Sequence, residues 1–170
     1  EQVTSLNLGD WVLTDLSSLA ELTNLENLNL SLCELTDKQL KVLPKLTQLT
    51  ELNLYYNQLT DARLLADLVN LKKLDLTGNE LTDVSALANL TQLERLGLEE
   101  NHLTDVKGLE KLTQLTDLDL WRNQLTSVKG LEKLTQLEEL FLGDNQLTSV
   151  KGLEKLTQLK ELWLDGNQLT

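Results

Sequence analysis

The chain offers little of the chemistry that enzymes use. Its 170 residues include one histidine, His102, and one cysteine, Cys33. His102 follows Asn101 and has no nucleophile or second base at a spacing typical of a catalytic group. No glycine-rich phosphate-binding motif is present. The sequence therefore predicts a protein without enzymatic activity and without a cofactor.

Carboxylates are the second group of side chains that could bind a ligand directly. Glu99 and Glu100 lie in one copy of a repeated segment, and Asp117 and Asp119 lie in the next copy. Oxygen ligands of this kind are the ones that Ca²⁺ takes in proteins. Weak calcium binding is one interpretation of these acids, and an exposed, solvated surface is the other. We expect no metal site.

Aromatic residues give the strongest indication of binding. The chain has three tryptophans, two tyrosines and one phenylalanine, and all of them except Trp11 lie in the same short part of the repeated segment. Trp and Tyr are enriched at the hot spots of protein interfaces. The alternative is that these rings cover a neighbouring repeat or a missing capping segment. We predict a partner-binding surface made of Tyr55, Tyr56, Glu99, Asp119, Trp121, Arg122, Phe141, Asp144, Trp163 and Asp165.

The repeated segment must position all of these side chains. The pattern L-x-x-L-x-L-x-x-N/C-x-L occurs eight times, and its copies start at residues 3, 25, 49, 71, 93, 115, 137 and 159. Successive copies are 22 residues apart, except for one step of 24 residues after the second copy. Alternating leucines point to one side of a short strand, and the residues between them point to the other side. The pattern predicts eight short parallel strands.

The ninth position of the pattern is Asn in six copies, and an Asn amide can bond to backbone groups of a buried turn. Cys33 takes this position in the second copy, so we interpret it as a buried structural residue and not as a nucleophile. Trp11 takes it in the first copy, which indicates an irregular first coil. The six Asn residues are Asn57, Asn79, Asn101, Asn123, Asn145 and Asn167.

The second half of each repeat has apolar residues at every third position, as in Val84, Leu87, Leu90 and Leu93. This spacing favours a 3-10 turn or a short helix packed on the core. An insertion at 37–46 predicts one longer helix, which we expect Pro44 to end. Residues suited to an N-cap precede these turns. They are Asp15, Asp37, Asp61, Asp83, Asp105, Ser127 and Ser149.

These elements predict an α/β fold, a right-handed solenoid with strands on the concave face and turns on the convex face. We expect one array over residues 1–170. No polar capping helix is recognisable at either end, so the array is expected to be part of a longer protein. The 22-residue spacing and the N-x-L-T-D/S-V segment resemble the short subclass of leucine-rich repeats, which includes bacterial internalins and the nuclear regulatory subunit of protein phosphatase 1. The resemblance implies a protein-binding scaffold that uses its concave face.

Charge is distributed unevenly between the two faces. The second, third, fifth, seventh and eighth positions of each copy, here called the variable positions, hold 14 acids and five bases, a net charge of −9 out of −12 for the chain. Such a surface disfavours nucleic acid and anionic membranes as partners. It favours a protein partner with a basic or amphipathic surface. No apolar run approaches the length of a membrane span.

The last two full repeats show where the sequence varies. Residues 125–146 and 147–168 differ at four positions only, and all four are variable positions. We predict that Phe141 and Trp163 lie side by side about 5 Å apart, with Trp121 nearby. We expect Gly143 to leave room for an inserted partner side chain, and Tyr55 and Tyr56 to form a second, separate site.

Two classes of function follow from this pattern. The first is a protein-recognition module that binds through its acidic, aromatic concave surface. The second is a structural spacer or a self-associating array that joins end to end through its exposed sheet edges. An engineered consensus array is a third interpretation, which the irregular first three copies disfavour. A lone cysteine leaves a secreted or cell-surface location and a cytoplasmic location equally open.

Overall fold

Eight strands form one parallel sheet in the computed structural model, which describes residues 2–170. The strands follow one another in the sheet in chain order, and each pairs with the equivalent three residues of the next repeat. They are β1 (Ser5–Asn7), β2 (Asn27–Asn29), β3 (Glu51–Asn53), β4 (Lys73–Asp75), β5 (Arg95–Gly97), β6 (Asp117–Asp119), β7 (Glu139–Phe141) and β8 (Glu161–Trp163). The predicted strands and their register are confirmed.

The core is a continuous column of leucines from neighbouring coils. The middle residue of each inner strand is buried, and the next leucine along the chain is buried with it, as in Leu96 and Leu98. A repeat buries its leucines only against its neighbours. The same position is therefore less covered at the end of the sheet, where Leu162 of β8 is 40% exposed.

The predicted asparagine ladder holds these coils together. The Asn101 amide donates to the backbone carbonyls of Leu76 and Leu98, and its oxygen accepts from the Leu81 N–H. Cys33 makes the equivalent donor contact, since its thiol lies 3.1 Å from the Leu8 carbonyl. Burial raises the pKa of this thiol above its ordinary value, as expected for a structural cysteine. Trp11 is 66% exposed, so the first coil has no ladder residue.

The convex side consists of short 3-10 helices, and residues 2–170 contain no α-helix. The residues at every third position, such as Val84 and Leu87, are buried as predicted. The insertion gives the longest of these helices, but Pro44 lies inside it and does not end it, because the helix continues to Lys45. The helices span Ser17–Glu21, Gln39–Lys45, Arg63–Leu65, Ser85–Asn89, Leu109–Lys111, Leu131–Lys133 and Leu153–Lys155. None is long and apolar enough to cross a membrane.

The predicted N-cap residues lie one residue before the N-cap position in the first four helices and three residues before it in the last three. No side chain caps a 3-10 helix at its first position. Instead Asp83 accepts a hydrogen bond from the backbone N–H of Ser85, and Ser127 accepts from that of Lys129. These are local turns that fix how the chain enters each helix. Asp37 differs, because it accepts from Thr60 in the next coil and ties the insertion to it.

Candidate functional site

The last residue of each strand forms a row across the concave face, and this row changes character along the sheet. In the first four strands it is Asn or Asp, and Asn53 and Asp75 each accept a hydrogen bond from the backbone N–H two residues later. Asp119 makes the same bond in β6. In β7 and β8 the row becomes Phe141 and Trp163. Sequence reasoning missed this turn, although the recurring Asn or Asp was its signal.

A second row takes an unusual backbone conformation. The eighth position of every repeat has a positive φ between 48° and 68°. This left-handed region is readily adopted by glycine and disfavoured for other residues. The residues of the row are Asp10, Leu32, Tyr56, Gly78, Glu100, Arg122, Asp144 and Gly166. The row lies three residues beyond the end of each strand and is here called the rim.

Three aromatic rings meet at the C-terminal end of the sheet. The ring centroids of Phe141 and Trp163 are 5.9 Å apart, with an angle of 66° between the ring planes. Trp121 lies 5.5 Å from Trp163 at an angle of 53°. The predicted pairing of Phe141 with Trp163 is confirmed. Trp163 is 48% exposed, and the other two rings are half-buried.

Gly143 does not leave an empty space for a partner, contrary to the prediction. A Cβ at this position would lie 3.0 Å from Cε2 of Trp121, so the indole of Trp121 already covers the glycine. Trp121 crosses the seventh repeat at Gly143 in this way and reaches Trp163 of the eighth repeat. Its Nε1 donates a 3.0 Å hydrogen bond to Asp144. The glycine thus permits the aromatic cluster to form.

Tyr56, in the third repeat, also lies over a glycine of the next repeat. Its ring lies over Gly78, where a Cβ would come within 2.7 Å of Tyr56 Cε2. Because the ring crosses this repeat, the Tyr56 hydroxyl donates to Glu100, two repeats further on. This bond favours the protonated phenol and raises the pKa of Tyr56 to about 12. Tyr55 packs on Tyr56, with ring centroids 4.5 Å apart.

A chain of polar contacts then connects the tyrosines to the aromatic cluster. Arg122 donates to Glu100 at 2.5 Å and lies 3.5 Å from Asp144, which also accepts from Trp121. The hydroxyl of Tyr56 and the guanidinium of Arg122 lower the pKa of Glu100. These contacts link Tyr56 to Trp121 through Glu100, Arg122 and Asp144. That Tyr55 and Tyr56 form a second, separate binding site stays a prediction.

Every base at a variable position forms an ion pair with an acid of another repeat. Besides Arg122, Lys73 lies 2.7 Å from Glu51, and Lys160 lies 2.6 Å from Glu138. Two further pairs are looser, Lys72 with Glu94 at 3.8 Å and Arg95 with Asp117 at 3.6 Å. Exposed pairs of this kind contribute little to stability, but they leave no base of this face to neutralise its remaining acids.

Glu99 and Asp119 are two of these remaining acids. Within residues 2–170 neither carboxylate forms an ion pair; that of Asp119 accepts a hydrogen bond from the Trp121 N–H, and that of Glu99 accepts none. Burial raises the pKa of both carboxyls, and neighbouring acids raise it further: Asp119 and Glu100 act on Glu99, and Asp75 acts on Asp119. Both carboxylates line the groove, and Asp75, which also lines it, adds to the negative charge there.

Six of the predicted residues enclose one cleft of about 370 Å³, here called the aromatic cleft. They are Glu99, Asp119, Trp121, Arg122, Phe141 and Trp163. A longer groove of about 680 Å³ runs along the sheet from β1 to β7 and includes Tyr55. The groove and the cleft share Glu99, Asp119 and Phe141. Asp144 and Asp165 are exposed beside the cleft.

The calcium interpretation finds no support in this arrangement. Glu100 is held by Tyr56 and Arg122, and Asp117 lies beside Arg95. No group of three or more metal-ligating side chains is found in the part of the chain that the structure describes. His102 is exposed, and its backbone N–H bonds to the Leu81 carbonyl as part of the coil.

Comparison with known proteins places this architecture among solved structures. An internalin (InlF) from Listeria monocytogenes is 37% identical with a TM-score of 0.94, and the match covers 98% of this chain and 49% of that chain. Internalin C2 of the same organism is 34% identical with a TM-score of 0.95, over 99% of this chain and 74% of that one. The chain thus spans about half the length of the first internalin.

A more distant match is a plant receptor. The leucine-rich-repeat ectodomain of the membrane receptor kinase GASSHO1/SCHENGEN3 from Arabidopsis thaliana, solved in complex with Casparian Strip Integrity Factor 2, is 28% identical with a TM-score of 0.83. The match covers 99% of this chain and 22% of the receptor chain. Among curated proteins, none matches the sequence of this chain.

Family models agree with the structural matches. A model described as leucine-rich repeats in two copies matches residues 47–89, 91–133 and 135–170, and a second leucine-rich-repeat model matches residues 21–43. These ranges cover most of the array and follow the repeats that the sheet and the asparagine ladder define. The chain therefore belongs to the leucine-rich-repeat family.

Proposed function

We propose that the chain is a non-enzymatic protein-recognition scaffold whose concave groove binds a protein with a basic or amphipathic surface. One observation carries the proposal. The rings of Trp121, Phe141 and Trp163, of which Trp163 is the most exposed, line one cleft of the sheet together with the carboxylates of Glu99 and Asp119. Aromatic rings supply contact area at an interface, and the negative groove steers a positive partner toward it.

The relatives support the general role in this proposal, that of a scaffold for protein interaction. Leucine-rich-repeat proteins are typically scaffolds for protein interaction, and the plant receptor ectodomain was solved in complex with Casparian Strip Integrity Factor 2. The net charge of −12 argues against nucleic acid and against anionic membranes as partners, because both attract basic surfaces.

Affinity capture with paired variants tests the proposal. We expect a partner captured by the wild-type array to be lost with the variant Trp121→Ala/Phe141→Ala/Trp163→Ala. The matched control is Gln114→Ala/Gln136→Ala/Gln158→Ala, which changes three equivalent exposed residues of the convex half. Thermal unfolding of both variants shows whether each is folded at the capture temperature. Equal capture by the folded aromatic variant would contradict the proposal.

A structural spacer or self-associating array is the second candidate, and one observation favours it. Leu162 and Leu169 of the last repeat are 40% and 39% exposed, whereas the equivalent leucines of inner repeats are buried. Such an apolar sheet end could join that of another copy. Light scattering over a concentration series tests this. A mass that stays monomeric at every concentration would rule out end-to-end association.

A further inference from the structure

We propose that the aromatic cleft receives one arginine side chain of the protein partner, with Glu99 and Asp119 as its counter-ions. This inference rests on the proposed function, because the arginine belongs to the protein that the groove binds. It adds the chemistry of one contact, which the general scaffold role leaves unspecified. Four observations support it: the tilt of the rings, the position of the carboxylates, the ion pairs that Arg122 forms with other acids, and the surrounding negative charge.

The rings leave aromatic faces open. Trp163 meets Trp121 at 53° and Phe141 at 66°, so no two rings stack face to face. The negative face of an aromatic ring attracts a cation within about 6 Å, and tryptophan attracts it best. Trp163 is also the most exposed of the three rings. An entering side chain would therefore meet at least one tryptophan face.

The carboxylates lie on the same side of the sheet as the rings. Asp119 pairs in register with Phe141 on one side and with Gly97 on the other. Glu99 and Asp119 both contribute to the wall of the aromatic cleft. A guanidinium group combines a planar surface that stacks on rings with a row of donors that matches carboxylates. This cleft presents both kinds of partner within one cavity.

The base that the cleft already contains forms its ion pairs with other acids, although its charge lowers the pKa of Glu99 in part. The guanidinium of Arg122 is held by Glu100 at 2.5 Å and lies 3.5 Å from Asp144, both on the rim. Glu99 and Asp119 consequently keep their charge in a partly desolvated position, which raises the pKa of each carboxyl. An incoming cation would relieve this cost.

The charge around the cleft favours a cation over a neutral side chain. Glu139 and Glu161 of β7 and β8, and the exposed Asp165 that follows β8, are further acids of the same end of the sheet. The one nearby lysine, Lys160, is paired with Glu138. An apolar side chain would bury these carboxylates further without compensation, which is unfavourable. A positively charged side chain both fills the cleft and neutralises it.

Nuclear magnetic resonance of the indole N–H groups tests the proposal without the natural partner. The probe is N-acetyl-arginine methylamide, and its neutral analogue of equal shape is N-acetyl-citrulline methylamide. We expect saturable shifts of the Trp121 and Trp163 signals with the arginine probe and about tenfold weaker binding of the citrulline probe. Trp11 lies in the first repeat, far from the cleft, and is the internal control.

A charge variant gives the second arm of the test. Glu99→Gln/Asp119→Asn should weaken the arginine probe about tenfold at low salt. The Asn is compatible with the fold, because Asn7, Asn29 and Asn53 accept the same backbone hydrogen bond at the equivalent position. The matched control, Asp10→Asn/Glu26→Gln, removes the same charge in the first two repeats and should leave binding unchanged.

The possible results separate this inference from the proposed function. Equal binding of arginine and citrulline probes, or equal shifts at Trp11, would overturn the arginine site. If the arginine probe fails while partner capture still depends on the three aromatic residues, the scaffold role stands and only the arginine site falls. If the probe binds while capture does not depend on the aromatic residues, the scaffold role falls, and with it the assignment of the bound arginine to a protein partner.

Discussion

At the scale of single residues, glycines and asparagines determine what the groove can present. Gly143 accepts the ring of Trp121 and Gly78 accepts that of Tyr56, so each large side chain leans over a glycine of the next repeat. Two of the four differences between the last repeats thereby gain a structural reason. Gly143 makes room for Trp121, and Gly166 lies against Asp144. Part of the variation between the last repeats therefore reflects packing within the chain and not contact with a partner.

Substitution of a ladder residue should destabilise the array strongly. Asn101 is 3% exposed and bonds to backbone groups of two coils, so Asn101→Ala leaves several buried groups unpaired. We expect a loss of about 3 kcal/mol in the free energy of unfolding, measured in urea. Asn101→Cys should lose less, because Cys33 shows that a thiol can keep the donor contact.

The neighbouring residue provides the control for this measurement. His102 is exposed, and only its backbone takes part in the coil. His102→Ala should therefore change the free energy of unfolding by under about 0.5 kcal/mol. Comparable losses from His102→Ala and Asn101→Ala would show that the ladder does not carry the stability we assign to it.

At the scale of elements, the convex half is held constant for reasons of backbone geometry. In the three last return segments a glycine with positive φ precedes the 3-10 helix: Gly108, Gly130 and Gly152, at 97°, 104° and 111°. The backbone N–H of each glycine donates to a glutamate two residues later, as Gly130 does to Glu132 at 2.6 Å. The turn therefore explains why the glycine and the glutamate of the repeated K-G-L-E-K sequence are the same in all three segments, without a role in binding.

A pair of alanine substitutions separates strain from crowding in this turn. At Gly130 a Cβ would have its nearest neighbour at 3.6 Å, so Gly130→Ala should cost only the left-handed conformation, about 1–2 kcal/mol. At Gly108 a Cβ would lie 2.8 Å from the Cα of Ser85. Gly108→Ala should therefore lower the free energy of unfolding further, by about 1–3 kcal/mol more. Equal losses in urea would contradict this distinction.

The strands, their register and the ladder could be predicted from sequence because each repeats a pattern fixed by burial. The positions of Trp121 and Tyr56 could not, because both side chains cross a neighbouring repeat and depend on the absence of a Cβ there. The link from Tyr56 to Glu100 spans 44 residues and has no local signal. The prediction that Pro44 ends the longer helix was also wrong, because this 3-10 helix contains Pro44 and ends one residue later.

At the scale of the whole molecule, negative charge is concentrated on one face of the sheet. The variable positions carry −9 of the net charge of −12. A field of this kind raises the rate of association with a basic partner and is screened by salt. The captured partner should therefore associate about tenfold more slowly when salt is raised from low to physiological ionic strength, while a rate independent of salt would exclude steering.

Stability should respond to pH through the two uncompensated acids. The pKa values of Glu99 and Asp119 are raised above their ordinary 4.5 and 3.8, mainly by burial and also by Asp75 and Glu100, with Arg122 opposing this at Glu99. Their protonation therefore favours the folded state. This contribution is complete below the ordinary values and is lost as pH rises through the raised values.

The variant Glu99→Gln/Asp119→Asn makes this contribution measurable. We expect it to be more stable than the wild type at pH 7, with a difference that shrinks as the pH falls toward 4. Urea unfolding of both proteins at several pH values measures the difference directly and removes the effect of the other acids. A difference that stays constant with pH would mean that the two carboxyls have ordinary pKa values.

The central claim is that the aromatic and acidic groove is the surface that recognises a protein. Selection of short random peptides on the wild-type array, followed by affinity measurement against the aromatic and convex triple-alanine variants, tests it most directly. We predict peptides rich in arginine and lysine whose affinity falls at least about tenfold with Trp121→Ala/Phe141→Ala/Trp163→Ala and stays unchanged with Gln114→Ala/Gln136→Ala/Gln158→Ala. Peptides without basic residues, or peptides that bind the aromatic variant as well as the wild type, would contradict the claim.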